Sequence, residues 1–229
     1  SNYRQFSSDV LGVTFKDIEL LVTAMTHRSY VNEHRKTVKQ HNERLEFLGD
    51  AVLELVTTEY LYANFNEPEG ILTNWRSSLV RTESIGAAAG RLGYEPLLRL
   101  SRGEKRGTER ARAQILANSF EAVIGALYLD QGYDIAQRFI TDSLLVTFQD
   151  ILTKGSWVDP KSHLQELVQS QLASAPVYKI LDEDGPDHDK TFTVGVFVDN
   201  VLQGQGTGAS KQAAQQRAAE AALAHYAKK

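Results

Sequence analysis

His41-Asn42-Glu43-Arg44-Leu45-Glu46-Phe47-Leu48-Gly49-Asp50 carries three carboxylates, Glu43, Glu46 and Asp50, at positions i, i+3 and i+7. On a helix these fall on one face, stacked over two turns. Like charges that close repel one another, so the arrangement costs stability unless a cation fills it. Leu45, Leu48 and Val52 lie on other parts of the same helix, where they can pack. Gly49 is a poor helix former, and a glycine there permits close approach of another helix or backbone. Three carboxylates alone fit a solvated acidic stripe over an ordinary core equally well.

A second cluster shifts that balance. In Ile115-Leu116-Ala117-Asn118-Ser119-Phe120-Glu121-Ala122, Asn118 and Glu121 stand at i and i+3 within an apolar helical run. A lone Glu in such a run needs a partner. A metal shared by two facing helices would supply one. Oxygen ligands without His or Cys suit Mg²⁺ or Mn²⁺ rather than zinc.

Outward from these runs the first two-thirds of the chain reads as helices: Leu11–Met25, Glu43–Tyr62, Leu72–Gly90, Ala113–Leu129 and Ile135–Leu152, with Asn64–Gly70 a Pro/Gly loop. An all-α domain is expected over 1–153, and a linker at Lys154–Pro160. The grammar then changes. Over 161–229 a helix at Lys161–Ala173 precedes strand candidates at Val177–Asp184, Thr191–Asp199 and Val201–Gly206. Phe192, Val194, Val196 and Val198 alternate with Thr193, Gly195 and Phe197, and Asp199-Asn200 is a hairpin turn candidate. Ser210–Tyr226 is an Ala-rich helix with Ser210 as candidate N-cap. The tail is thus a small α+β unit of order α-β-β-β-α.

The 229 residues hold 25 Lys or Arg, 29 Asp or Glu and no Cys. Disulfides, thiolate metal sites and Cys nucleophiles are excluded. No apolar run is long enough to span a membrane, and the start, Ser1-Asn2-Tyr3-Arg4, shows no signal peptide, so a cytoplasmic protein is expected. The net charge of −4 argues weakly against a nucleic-acid binder. Its distribution argues otherwise, because Arg99, Arg102, Lys105, Arg106, Arg110 and Arg112 face only Glu104 and Glu109 in one segment.

The run His41–Asp50, continued by Ala51-Val52-Leu53, resembles the nine-residue signature of the ribonuclease III family. Thr26-His27-Arg28-Ser29, Leu79-Val80-Arg81 and Ile115–Asp130 resemble that family's other motifs in the expected order, and the tail looks like a double-stranded-RNA-binding domain. The resemblance implies an all-α endonuclease domain followed by that small α+β domain. It implies a Mg²⁺-dependent homodimer that cuts double-stranded RNA into 5′-phosphate and 3′-hydroxyl ends with short 3′ overhangs. In a bacterium the family matures ribosomal RNA precursors and some messenger and transfer RNAs. Glu43, Glu46, Asp50 and Glu121 would be the active-site carboxylates. Glu46 and Glu121 would ligate the metal and Asp50 would hold its water. Glu69 resembles a further acidic residue reaching the cleft, although a solvated loop Glu fits as well. Phe47 matches an aromatic knob that enters the partner subunit; an ordinary core Phe is the other reading. Most family members have Asp where Asn118 stands. An amide oxygen can still ligate a metal but brings no charge. A tolerated variant, an engineered inactivation and a naturally impaired nuclease that only binds duplex RNA each account for it.

Duplex RNA is read through 2′-hydroxyls, phosphates and shape. By the same resemblance, Ser162, Gln165, Glu166, His188, Ser210 and Lys211 are the tail's candidate contacts. His27 and Arg28 either contact RNA or cap a helix. Relatives carry further lysines where Gln212, Ala213 and Gln215 stand, and from Pro160 onward seven Lys or Arg meet eight Asp or Glu. The tail's electrostatic attraction should be modest. The basic segment Arg99–Arg112 contributes more if it is a loop that orders on RNA, and nothing if it is a solvated one.

Overall fold

The computed structural model describes residues 2–154, 159–172, 174–186 and 190–226. Chain contacts divide the protein into two compact units, Ser1–Trp157 and Val158–Lys229. Most of the linker expected at Lys154–Pro160 lies outside the described residues.

The first unit is helical: α1 (Asn2–Asp9), α2 (Ile18–Ala24), α3 (Arg28–Glu33), α4 (Glu43–Asn64), α5 (Glu69–Val80), α6 (Thr82–Arg91), α7 (Glu109–Gln131), α8 (Tyr133–Ser143) and α9 (Phe148–Lys154). At its centre is α7, with buried side chains on all sides, among them Leu116, Phe120, Val123, Ile124 and Leu127. A helix apolar all round belongs in the middle of a core. α4 crosses it at unusually close range. A Cβ at Gly49 would fall 1.7 Å from the Glu121 carbonyl oxygen, and one at Gly125 would fall 2.3 Å from that of Leu45. Two glycines, one on each helix, let the backbones touch.

Three expected helices are shorter than their apolar spacing suggests; one of them, Ile135–Leu152, is divided into α8 and α9 by Leu144 (φ −120°) and a 3-10 turn at Leu145–Thr147. Within Leu11–Met25 only Ile18–Ala24 is helical. Residues ahead of it are drawn off by Asp130 at the end of α7, whose carboxylate accepts from the Lys16 and Asp17 backbone N–H groups at 2.9 and 2.8 Å. The Asp17 side chain then caps α2 by accepting from Glu19 N. Leu72–Gly90 is two helices, not one. Arg81 is extended (ψ 153°) and starts α6, and Ser84 Oγ donates to Ser78 O across the corner at 2.7 Å. Apolar spacing continues across the break because both helices face the same core, so the sequence does not betray it. The basic segment is no free loop: a parallel bridge pairs Thr26 with Arg99, a 3-10 turn covers Glu104–Arg106, and α7 already begins at Glu109.

The second unit comprises α10 (Pro160–Leu172), β1 (Val177–Asp184), β2 (Thr191–Val198), β3 (Val201–Gly208) and α11 (Lys211–Tyr226), with an antiparallel sheet in the order β1-β2-β3. Asp199 and Asn200 both take positive φ, 49° and 64°, as a two-residue hairpin of the mirror-image turn type requires. Val194, Val196 and Val198 bury the inner face against Leu164, Val168 and the alanines of α11. Gly204 and Gly206 let β3 touch that helix: a Cβ on either would approach the α11 backbone to about 2.5 Å. Among the described residues no helix is long and apolar enough to cross a membrane.

Gly49→Ala should therefore cost about 3 kcal/mol, the upper end of ordinary overpacking, because backbone rather than side chain must yield. Gly90, with nothing within 4 Å of its would-be Cβ, is the control: Gly90→Ala should be neutral or stabilising by about 0.5–1 kcal/mol. Urea denaturation of the two variants measures both.

Candidate active site

The Gly49–Glu121 contact brings the two sequence clusters together. Glu121 lies partly buried where α7 meets the turn of α4 that carries Glu46 and Asp50. Burial, then the charges of Asp50, Glu46 and Glu54, push its pKa up to about 8. Glu46 is also raised, by burial first and then by Glu43 and Asp50. These carboxylates share one electrostatic field, unlike the members of a solvated stripe. They nevertheless stand apart: among the described residues, no three His, Asp or Glu converge closely enough to enclose an ion. Mutual repulsion between uncompensated carboxylates favours such spacing.

The donors around Glu121 are hard oxygens, and they fit a hard divalent cation. Asn118 stands one turn before Glu121, and its Oδ1 accepts a hydrogen bond from Gln114 Nε2 at 2.7 Å. Glu54 is a member that the sequence reading missed. It lies one turn beyond Asp50, acts on Glu121, and is held by Arg76 of α5, whose Nε is 2.9 Å from Glu54 Oε2. Its spacing of eleven from Glu43 puts it on the same face of α4, so the periodicity that flagged the first three carboxylates reaches it too.

Other candidates sit elsewhere. Glu43 is exposed and faces Arg28 Nη1 at 3.4 Å and His41 Nδ1 at 3.8 Å. His27 caps α3, its Nδ1 accepting from Ser29 N at 3.3 Å. Glu69 opens α5 beside Thr58 and Tyr62. Arg76, which holds Glu54, lines the same hollow as these residues, so Glu69 stands toward the Glu54 end of the carboxylate face, where Thr58 is about 12 Å of helix beyond Asp50. Phe47 is 83% exposed, which rules out a core role within this chain.

In the second unit Ser162, Gln165 and Glu166 are exposed on α10, and Asp159 caps that helix by accepting from Ser162 N and Oγ at 3.0 and 2.8 Å. Ser210 caps α11 by accepting from Ala213 N at 3.1 Å. Lys211 is 3.5 Å from Glu183, which also pairs with Lys190 at 3.4 Å. His188 lies outside the described residues.

Comparison with known proteins agrees with both units. Residues 17–148 match the Ribonuclease-III-like family and residues 160–226 match the double-stranded RNA binding motif. Ribonuclease 3 of Desulforamulus reducens is 44% identical over 216 residues, spanning 94% of this chain and 88% of that protein. Ribonuclease 3 of Oceanobacillus iheyensis is 46% identical over 217 residues, 93% of each chain. A solved nuclease domain of ribonuclease III from Campylobacter jejuni, described for flexibility in a region involved in dimer formation, superposes with a TM-score of 0.54 at 36% identity, over 61% of this chain and 96% of that one. With an all-helical unit that sets Glu46 and Asp50 in the field of Glu121, a duplex-RNA-binding motif following it in the sequence, and relatives this similar over nearly its whole length, the chain belongs to the ribonuclease III family.

Proposed function

We propose that this chain is a homodimeric endoribonuclease that hydrolyses the backbone of double-stranded RNA with Mg²⁺, or Mn²⁺ in its place, leaving 5′-phosphate and 3′-hydroxyl ends with short 3′ overhangs. The observation that carries the reading is Glu121, fixed against the Gly49 turn and pushed to about 8 by burial and by Asp50 and Glu46. A carboxyl so placed gains by exchanging its proton for a cation. Glu46, Asn118 and Glu121 would hold the ion, and Asp50 would orient the attacking water. When bound, a divalent cation lowers the pKa of water and stabilises charge on the phosphorane-like transition state. Glu43, steadied by Arg28, faces the RNA beside the cleft. The tail supplies the preference for duplexes: Ser162, Gln165 and Glu166 offer hydroxyl, amide and carboxylate groups to minor-groove 2′-hydroxyls, and the start of α11 at Ser210 and Lys211 offers N–H donors and charge to phosphate. In a bacterium such an enzyme would mature ribosomal RNA precursors and process some messenger and transfer RNAs.

The homodimer is supported by Phe47. This exposed ring forms part of the wall of a cavity of about 850 Å³ whose apolar floor is Leu20, Leu45, Leu48 and Leu129 and whose rim is polar, with Lys39, His41, Glu43 and Arg44. A knob and a hollow with apolar residues on the same surface are what a two-fold interface needs, since each copy can fill the other's hollow. Leu55 and Tyr62, also exposed on α4, extend that surface.

The rival reading is a duplex-RNA-binding protein with impaired cleavage. One observation favours it: Asn118 brings no charge, and its oxygen is engaged by Gln114.

The parent chain with Mg²⁺ should cut a long RNA duplex. Glu121→Gln should abolish cutting while binding survives, and Asn118→Asp should lower the Mg²⁺ concentration needed. Binding without cutting by the parent, with cutting gained only in Asn118→Asp, would establish the rival.

Glu121 also sets a pH dependence. Its folded-state pKa is raised above the ordinary 4.5 to about 8, so the folded protein binds the extra proton between those values. Stability without cation should fall as pH rises through about 8. Thermal melts in chelator should drop between pH 6 and about 9 for the parent, stay flatter for Glu121→Gln, and recover with Mg²⁺ only in the parent.

Phe47→Ala should weaken the dimer by about 2 kcal/mol or more, about thirty-fold in dissociation constant, as measured by sedimentation.

A further inference from the structure

We propose that duplex affinity in this chain is supplied chiefly by a fixed basic ridge on the first unit, and that Glu183 keeps Lys211 of the tail from adding to it. This rests on the duplex-RNA reading above. The ridge joins α3 to the segment that leads into α7. Arg99 N donates to Met25 O at 2.8 Å, and His27 N donates to Arg99 O at 3.0 Å. Ser101 N donates to Ser29 Oγ at 3.1 Å, and Arg102 N donates to the Glu33 carboxylate at 3.4 Å. The Arg99 guanidinium lies over the Tyr30 ring at 4.5 Å. At the far end Arg112 Nη2 donates to Lys105 O at 2.9 Å, which ties the turn to α7. The segment is thereby held in place before RNA arrives, so little ordering entropy is lost on binding.

Its charges are free to act. Arg102, Lys105, Arg106 and Arg110 are exposed, and among the described residues no carboxylate side chain pairs with theirs. Arg110 lies in the first turn of α7, eight residues before Asn118 and eleven before Glu121. At 1.5 Å per residue that is about 12–16 Å, so a duplex laid along the ridge reaches the carboxylates.

The tail is built the other way. Glu183 lies within 3.5 Å of both Lys190 and Lys211. Lys161 donates to Gln215 Oε1 at 2.7 Å and sits over Tyr178. Arg217 donates to Thr207 O at 2.7 Å. Gln212 and Gln215 follow Lys211 on α11 without charge. A phosphate brought to Lys211 meets the Glu183 carboxylate as well, and the two oppose each other. The tail can recognise the duplex by shape and hydroxyl contacts, while phosphate attraction falls to the ridge.

The test is the salt dependence of binding to a long RNA duplex, with Mg²⁺, in the full chain carrying Glu121→Gln so that the duplex stays whole. Lys105→Ala with Arg106→Ala, which keeps the Lys105 carbonyl, should flatten the slope of log K against log salt by about two units. Removing the charge of Lys16, which lies beside Asp130 at the opposite end of α7 from the ridge, should leave the slope unchanged. Glu183→Gln should tighten binding and steepen the slope by about one unit. An unchanged slope in the ridge variant, or binding no tighter in Glu183→Gln, would overturn the proposal. Failure of the parent chain to bind duplex at all would instead overturn the duplex-RNA reading on which it rests.

Discussion

The contact between Gly49 and the Glu121 carbonyl is where packing and chemistry meet. Two helices normally lie 8–10 Å apart because side chains keep them there. Here Gly49 and Gly125 remove those spacers, and the α4 and α7 backbones touch. The side chains that flank the contact share one crossing, although among the described residues they do not close on a common point. On α4 they are Glu46 and Asp50, on α7 Glu121. Close packing of the backbones thus buries Glu121 within the field of like charges, and burial first, then those charges, raise its pKa. The fold holds its carboxylates where they are least comfortable, and that discomfort is what a cation would relieve.

Other parts of the first unit serve that crossing. Asn42, buried just before α4, donates from its backbone to Thr26 O at 2.9 Å and from Nδ2 to Ala24 O at 3.3 Å. This pins the start of α4 to the same strand-like segment that pairs with Arg99. At the other end of α7, Asp130 anchors Lys16 and Asp17. Burial would raise the pKa of Asp130, but the backbone N–H groups of Asp17 and Lys16, with Gln131, outweigh it and hold the carboxyl below its usual range. Asp130 and Glu121, both on α7, therefore move in opposite directions. Backbone donors hold the first, whereas burial and then the charges of other carboxylates act on the second.

Much of this was readable in the chain because the features are local. Glu43, Glu46 and Asp50 announce a face by their spacing, Gly49 announces a close neighbour, and Asp199-Asn200 announces a turn. What the sequence hid depends on distant partners. The break at Arg81 is invisible because apolar residues on both sides point into one core. The shortening of the first expected helix to α2 depends on Asp130, more than a hundred residues away. Glu54 shares the periodicity of its neighbours, but only the fold shows Arg76 beside it and Glu121 within its field. Phe47 was ambiguous for the same reason: an aromatic at that position can face a core or a partner, and only the neighbouring helices decide.

Net charge was the least informative property, and the structure explains why. A protein that binds a polyanion through a cation must hold carboxylates at the point of reaction, and those carboxylates lower the total charge without opposing binding once the ion is in place. The acidic cleft and the acidic tail both pull the sum down, while the ridge of Arg102, Lys105, Arg106 and Arg110 is small in number and exposed in one place. A sum over 229 residues averages away that separation. For such a protein the informative quantity is the distance between clusters of opposite sign, and here α7 sets it, with Arg110 in its first turn and Glu121 about three turns later.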